Sequence, residues 1–379
     1  MVKDLKPRNT RDLVPIQSVL PPTSLRPSKD HDGYVNQIFE GEANASPRNV
    51  FRDPLGHPFK VISSPKILNS RQKLEDLTRF RTKIRRAIIR RDQKIFVDLS
   101  PCQSIDVGAC VLLAAELHRC QSLAGDYLYG CDPAASEALN VLRGLGFHEL
   151  LKIRNPAPAP RSEWIARIRA GHGTDQEIPR VLDEIAELAM SAWGDEAFRN
   201  QILAALNEAM TNVIMHAYPS EIQPNEYRVA GAWWAAGIVN PDTNEAWFFA
   251  FDQGVGLPKT ALRNFDGILE RHGLNSDSPA DHEIIAATIL EAHTRTGLGQ
   301  HGLGLPAMIR LIDEKAVGGS IAISSLRGEH MIVKNPTNPD ARLRRVEFGR
   351  ALDAEIPGTL IVWKVDGPIA GSDKEGGDV

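Results

Sequence analysis

The stretch FRNQILAALNEAMTNVIMHAY, residues 198–218, has apolar residues at helical spacing and predicts an amphipathic helix. Within it, Glu208, Asn212 and His216 follow one another in steps of four residues. Because each such step rotates by about 40° around a helix, the three side chains share one face. The carboxylate can accept a proton from an attacking water or hydroxyl, and the amide oxygen can coordinate Mg²⁺. This face is therefore the first candidate for a functional site.

A second candidate follows the apolar strand EAWFFAFD (245–252), which the turn NPDTN joins to the strand YRVAGAWWAAGIV (227–239). The strand ends at Asp252, and Gly254 and Gly256 come directly after it. Two glycines at this point allow the backbone to turn sharply against a ligand. A buried carboxylate there could accept a hydrogen bond from the exocyclic amine of adenine.

A third candidate is the glycine-rich stretch TGLGQHGLGLP (296–306), which leads into a predicted helix, PAMIRLIDE. Glycines permit close backbone approach, and a following helix N-terminus favours anionic phosphate. The stretch lacks the P-loop lysine, and no strand precedes it as a Rossmann fingerprint requires. His301 lies inside this loop, where either contact with a phosphate or plain solvation would account for it. Two further strands, GSIAISS (319–325) and GTLIVWKV (358–365), complete the predicted sheet.

Taken in this order, NEAMTNVIMHAYP, FDQGVGLP and TGLGQHGLGL resemble the N, G1 and G2 boxes of the GHKL ATPases. The resemblance covers about residues 165–366, and the E-x-x-x-N-x-x-x-H-A-Y form is most similar to anti-sigma-factor serine kinases and histidine kinases. It implies a Bergerat-type α/β sandwich, in which helices cover one face of an antiparallel-rich sheet. ATP and Mg²⁺ would lie between those helices and a mobile lid of about residues 257–296.

The resemblance also implies roles for individual residues. Glu208 matches the general base, Asn212 the Mg²⁺ ligand and Asp252 the residue that reads adenine. Thr359, on the closing strand, matches a threonine near the adenine pocket, while His216 stays open between packing and catalysis. The remaining matches are glycines. Two of them shape the adenine pocket, namely Gly254 and Gly256. The others lie at the lid end around the triphosphate, namely Gly297, Gly299, Gly302 and Gly304.

The region before this unit predicts a smaller α/β sheet. KIFVDLS (94–100) and GDYLYGC (125–131) read as strands, SIDVGACVLLAAELHRC (104–120) as a helix, and residues 135–151 as a helix broken at two glycines. Together they resemble the STAS domain of sulfate transporters and anti-sigma antagonists. In the antagonists a serine after the strand is phosphorylated. Here the loop reads Ser-Ile-Asp-Val-Gly from Ser104 and has no hydroxyl at that position, so the resemblance implies a docking or dimerising module.

These features predict a two-domain α/β protein, which is long enough for two independent cores. A Pro-rich, weakly structured segment (1–56) precedes the STAS-like domain (57–154). A Pro- and Ala-rich linker (155–163) then leads to the ATP-binding domain (164–366), and a polar tail (367–379) follows.

Composition narrows the possible partners. Lys and Arg number 44 against 48 Asp and Glu, so a net charge of −4 gives no global field for nucleic acid. The segment RFRTKIRRAIIRRDQK (79–94) nevertheless predicts an amphipathic helix with a basic, solvated face, which keeps nucleic acid possible without favouring it. No apolar run long enough for a transmembrane helix occurs, and the first residues lack a secretory apolar region. None of the four cysteines sits in a CxxC pair, and a reduced cytoplasmic setting is expected.

The sequence thus predicts a regulatory protein that binds ATP and Mg²⁺. It would hydrolyse ATP or transfer the γ-phosphate in the manner of a protein serine or histidine kinase, and lid closure would be coupled to a protein partner. That partner would dock on the STAS-like module, which could also form a homodimer. Two alternatives stay open, a non-catalytic nucleotide-gated switch and a nucleic-acid-linked ATPase.

Overall fold

The computed structural model describes residues 59–91, 93–125, 128–153, 165–173, 176–219, 231–264, 267–274, 278–295, 304–313 and 318–367. Within these ranges the chain combines helices with β-sheets, so the predicted α/β class is confirmed. The predicted N-terminal segment and the linker lie outside the described residues, as does almost all of the polar tail. None of the described helices is both long and apolar enough to span a membrane.

The first part of the chain forms a three-stranded parallel sheet in the order β1-β3-β5, beside a two-stranded parallel pair of β2 and β4. The strands are β1 Lys60–Ser63, β2 Ile67–Leu68, β3 Ile95–Asp98, β4 Ser104–Ile105 and β5 Leu128–Cys131. The helices are α1 Leu74–Arg85, which a π-helical turn at Arg86–Arg90 extends, α2 Val107–Ala124, α3 Ser136–Gly144 and α4 Phe147–Leu150. The strands predicted around residues 94–100 and 125–131 are confirmed, and so is the break after Gly144, where Gly146 has a φ of 92°.

The loop that begins at Ser104 provides the N-cap of helix α2. Asp106 is the N-cap, and its Oδ1 accepts hydrogen bonds from the Ala109 amide at 2.7 Å and the Ser70 hydroxyl at 2.8 Å. Such a side-chain acceptor satisfies amides that a helix start leaves unpaired. Val107 is the first residue of α2, so the position after the cap carries an apolar side chain without a hydroxyl.

Helix α1 is amphipathic as predicted, with Phe80 and Ile84 buried, but its basic side is not fully solvated. Arg81 is 3% exposed and lies 3.7 Å from the carboxylate of Glu116 on α2, which also pairs with Arg119. Burial lowers the pKa of Arg81 to about 10, although the Glu116 charge opposes this shift. The prediction of a solvated basic face is therefore wrong for Arg81.

The second part forms a five-stranded antiparallel sheet in the order β6-β7-β8-β10-β9. Its strands are β6 Ile165–His172, β7 Ala232–Asn240, β8 Glu245–Asp252, β9 Gly319–Lys334 and β10 Arg345–Asp366. Its helices are α5 Ile178–Trp193, α6 Glu196–Asn212 with a π-helical turn at Val213–Ala217, α7 Leu257–Asn264, α8 Ile268–Arg271, α9 Asp281–Arg295 and α10 Gly304–Asp313. Strands β9 and β10 run far beyond the predicted stretches and form a long hairpin, whose outer part, residues 326–356, we call the arm.

The two faces of this sheet bury different sets of side chains. On one face Trp233, Phe248 and Trp363 pack with α5, α6, α9 and α10. On the other face Trp234 and Phe251 belong to a single buried cluster that also contains α1, α2 and the parallel sheet. Independent cores were expected from the length of the chain, but this cluster is shared between its two parts. The first part therefore covers the sheet face opposite the helices.

The segment predicted as a lid is largely helical. It contains α7, α8 and α9, and α9 packs against β9. Ile285 and Ile289 of α9 are 0% and 3% exposed and belong to the core on the helical face of the sheet. Moving α9 would expose these side chains to water, at a cost of about 1.5–3 kcal/mol each. Helix α9 is therefore part of the core on this face of the sheet, and the mobility of the segment stays a prediction.

Candidate functional site

A cavity of about 690 Å³ lies between the helices and the antiparallel sheet. Its walls come from α6 and the π-helical turn after it, from α7, α9 and α10, and from the end of β8 and inner positions of β9 and β10. The volume falls within the range of about 300–1,000 Å³ that is usual for small-molecule sites. The first two sequence elements that were singled out contribute to this cavity, and the third contributes Leu305, while its residues 296–303 lie outside the described part.

One wall belongs to helix α6. The helix begins at the N-cap Asp195, whose carboxylate accepts a hydrogen bond from the Phe198 amide at 2.8 Å. Glu208 and Asn212 are half-buried, His216 is exposed, and all three line the cavity. The spacing of four residues thus places them on a common wall. His216 lies in the π-helical turn, and such turns are frequent at functional sites.

The floor of the cavity joins two neighbouring strands. Asp252, at the end of β8, is 5% exposed, and Thr359 lies directly opposite it on β10. Both residues line the cavity. Oδ1 of Asp252 accepts a hydrogen bond from the Gly254 amide at 2.7 Å, which fixes the carboxylate against the turn that follows β8. The floor therefore presents a positioned carboxylate next to a hydroxyl.

The glycines of this turn have different physical roles. Gly256 lines the cavity and has a φ of 93°, a conformation that side chains disfavour. Gly254 is not among the lining residues, and a Cβ there would lie 2.2 Å from the carbonyl oxygen of Ala217. That carbonyl accepts a hydrogen bond from the Val255 amide at 2.8 Å. Gly254 therefore allows the π-helical turn after α6 to pack against the turn that follows β8.

Two residues beneath the floor were not predicted as functional. Gly358 has a φ of 87°, and a Cβ there would lie 2.0 Å from the carbonyl oxygen of Asp252. Ser325 is fully buried on β9, and its hydroxyl lies 2.6 Å from the Gly358 carbonyl and 3.3 Å from the Thr359 hydroxyl. The Pro-Gly-Thr sequence was a usable signal for Gly358. Ser325 had none, because its partners are distant in the sequence.

The glycine-rich loop is described only at its end. Gly297, Gly299, His301 and Gly302 lie outside the described residues, while Gly304 begins helix α10. Leu305, in the first turn of this helix, lines the cavity. The N-terminus of a ten-residue helix therefore borders the cavity, and the dipole of a helix favours a negatively charged ligand group at this end.

The donor set fits a cation that is shared with a ligand. Among the described residues no cluster of three or more His, Cys, Asp or Glu side chains could hold a metal by itself. Mg²⁺ commonly takes only one or two protein oxygens and completes its shell with waters and phosphates. Asn212 and Glu208 offer oxygens of this kind on the α6 wall. The described part of the cavity lining contains no lysine or arginine, so a bound cation would supply the main positive charge.

Comparison with protein-family models gave no match, and comparison with curated proteins gave none either. The function must therefore be inferred from the cavity, the sheet that carries it and the chemistry of its lining.

Proposed function

We propose that the chain is a GHKL-type protein that binds ATP with Mg²⁺ and either hydrolyses the ATP or transfers its γ-phosphate. One observation carries this proposal: Glu208, Asn212, Asp252, Gly256 and Thr359 all line one cavity, although they come from three separate segments of the chain. Each motif alone is common among unrelated proteins, but a shared cavity is what a nucleotide site requires.

Each residue then has a distinct task. Asp252 and Thr359 would hold the adenine at the floor, and Asn212 would hold the cation. The cation neutralises charge on the phosphates when it is bound. Glu208 accepts the proton of the attacking water or hydroxyl, for which it lies one helical turn from Asn212. In phosphoryl transfer most of the rate comes from such positioning and charge neutralisation.

The shared core favours a second candidate, a nucleotide-gated switch with little or no turnover. Helix α2 packs against β7 and β8, and β8 ends at Asp252. In this case the STAS-like part transmits nucleotide binding to a protein partner or to a second copy of the chain. A nucleic-acid-linked ATPase has less support, because Arg81 is buried in an ion pair and does not extend the basic surface.

The first test compares Glu208→Gln with wild type in the presence of Mg²⁺ and γ-labelled ATP. We expect release or transfer of label to fall about 10²–10⁴-fold, because a general base contributes that much. The Kd of ATP should change less than about threefold. Glu196→Gln is the matched control, since Glu196 lies on the same helix, is exposed and does not line the cavity.

Asp252→Asn should abolish ATP binding under both candidates, so it tests the site that they share, and the fate of the labelled phosphate separates them. Free labelled phosphate would establish an ATPase, and label retained on a protein would establish a phosphotransferase. ATP binding without either would favour the switch. A wild-type chain that does not bind ATP with Mg²⁺ in calorimetry would refute the proposal. Stimulation of turnover by DNA or RNA at low salt only would favour the nucleic-acid-linked ATPase.

A further inference from the structure

We propose that Ser325 is a positioning residue that fixes the Thr359 hydroxyl as a hydrogen-bond acceptor, so that the cavity selects a nucleobase with an amino group at its bound edge. Ser325 does not line the cavity, and its side chain acts through Thr359. The inference rests on the proposed nucleotide function and adds a selectivity determinant to it.

The hydrogen bonds of Ser325 decide the direction of its proton. A hydroxyl has one hydrogen and two lone pairs. The Gly358 carbonyl oxygen lies 2.6 Å from Ser325 Oγ and can only accept, so the Ser325 hydrogen is committed to it. The Leu257 amide lies 2.9 Å away and can only donate, which occupies one lone pair of Oγ. The second lone pair remains for the Thr359 hydroxyl at 3.3 Å.

The direction of the Thr359 proton follows from this arrangement. Thr359 donates its hydrogen to Ser325, and its Oγ1 also accepts from the Leu257 amide at 3.2 Å. The hydroxyl therefore presents a lone pair to the cavity. Asp252 lies opposite on β8 and is an acceptor when ionised. The adenine amino group can donate to such a floor, whereas a carbonyl at the same position would meet acceptors only.

Packing prevents Ser325 from turning away. The residue is fully buried, and the next residue, Leu326, has a φ of 52° beside a register shift of β10. A Cβ at Gly256 would lie 3.0 Å from Ser325 Oγ and 2.9 Å from Leu326 Cγ, so no space is left between the turn and the strand. The orientation of the serine hydroxyl is thus set before any ligand binds.

The test measures the Kd of ATP and of inosine triphosphate, each with Mg²⁺, for the full chain. A 6-carbonyl replaces the 6-amino group in inosine triphosphate, and the ratio of the two values cancels the interactions that both nucleotides share. Ser325→Ala frees the Thr359 hydrogen, so the preference for ATP should fall about three- to tenfold, the size expected for one hydrogen bond. Thr359→Val should also lower it, while Thr359→Ser should retain it.

Ser324→Ala is the matched control. Ser324 is the preceding residue, is also buried at 3% exposure, and its hydroxyl donates to Glu329 at 3.0 Å, away from the cavity. This variant should lose thermal stability and keep the wild-type preference. An unchanged preference in Ser325→Ala, or an equal fall in Ser324→Ala, would overturn the inference.

The double variant Ser325→Ala/Thr359→Val shows whether Ser325 acts through Thr359. Its preference should equal that of Thr359→Val alone, and a further fall would contradict the inference. If Ser325→Ala does not fold, a wild-type preference in Thr359→Val would be equally decisive against it. A wild-type chain that binds neither nucleotide would overturn the proposed function together with the inference. ATP binding with an unchanged preference in Ser325→Ala would overturn the inference alone.

Discussion

His118 shows how one side chain ties the two parts of the molecule together. It is 4% exposed on α2, and its Nδ1 accepts a hydrogen bond at 2.9 Å from the indole nitrogen of Trp234 on β7. Burial lowers the pKa of His118 to about 4, because the charged imidazolium is poorly solvated there. The neutral ring is therefore the form that the folded chain requires.

This residue predicts a pH dependence of stability. The unfolded pKa is about 6.5, so at pH values between about 4 and 6.5 the unfolded chain binds the proton and the folded chain does not. Stability is complete above about pH 6.5 and is lost as the pH falls towards 4. His118→Asn keeps an acceptor for Trp234 but does not titrate. Between pH 7 and 5, wild type should lose about 2 kcal/mol more unfolding free energy than this variant in urea titrations. Equal losses would contradict the prediction.

The residues of the cavity differ in how well the sequence predicts them. Glu208, Asn212 and His216 share a wall because helical periodicity is local, and the sequence shows it directly. Asp252 was visible as a carboxylate between an apolar strand and a glycine turn. Ser325 was not, because its hydroxyl contacts lie at positions 257, 358 and 359. No local pattern reports a contact between strands whose pairing is unknown.

At the scale of elements, the arm depends on a buried carboxylate. Glu329 of β9 is 1% exposed and accepts hydrogen bonds from Arg71, Arg350 and Ser324. Burial alone would raise the pKa of Glu329, but the hydrogen bonds and charges of the two arginines outweigh it and hold the pKa below its ordinary value. Because Arg71 precedes α1, this cluster fastens the arm to the first part of the chain.

Arg71→Ala should therefore destabilise the protein by about 1–3 kcal/mol, since it removes one of two cations from a buried carboxylate. Arg79→Ala is the control, because Arg79 pairs with Glu75 where both side chains are more than half exposed. That pair should contribute less than about 0.5 kcal/mol. Thermal unfolding at pH 7 distinguishes the two variants, and equal melting temperatures would contradict the role given to Glu329.

The sequence did not predict the arm, because this element also depends on contacts between residues that are distant in the sequence. Residues 326–334, LRGEHMIVK, place a charge and a histidine in the middle of a strand, and such a pattern predicts a loop. Glu329 is tolerated because Arg71, 258 positions away, provides its counter-charge. The break between α3 and α4, in contrast, was predictable, because glycines mark it in the sequence itself.

At the scale of the whole molecule, the shared core predicts that the two parts unfold together. All six tryptophans lie at position 164 or later, so tryptophan fluorescence reports mainly on the second part, and Trp234 contacts the first part through His118. Leu113 is a fully buried residue of α2, in the first part. Leu113→Ala should nevertheless lower the free energy of unfolding detected by fluorescence by about 2–5 kcal/mol.

Leu123→Ala is the control, since Leu123 is 47% exposed on the same helix, and it should change this free energy by less than about 0.5 kcal/mol. An unshifted transition in Leu113→Ala would mean that the two parts unfold independently.

The position of β10 between β8 and β9 has a consequence for the synthesis of the chain. When a ribosome has translated residues up to 334, β8 and β9 both exist, but the strand that belongs between them has not yet been made. Each then has an unpaired edge, and such edges are templates for pairing with other chains. The floor of the cavity also lacks Thr359 at this stage, so the proposed nucleotide site cannot be complete on the ribosome before β10 emerges. A stop codon between β9 and β10 would therefore yield a nascent chain prone to aggregation, rather than a shortened but soluble domain.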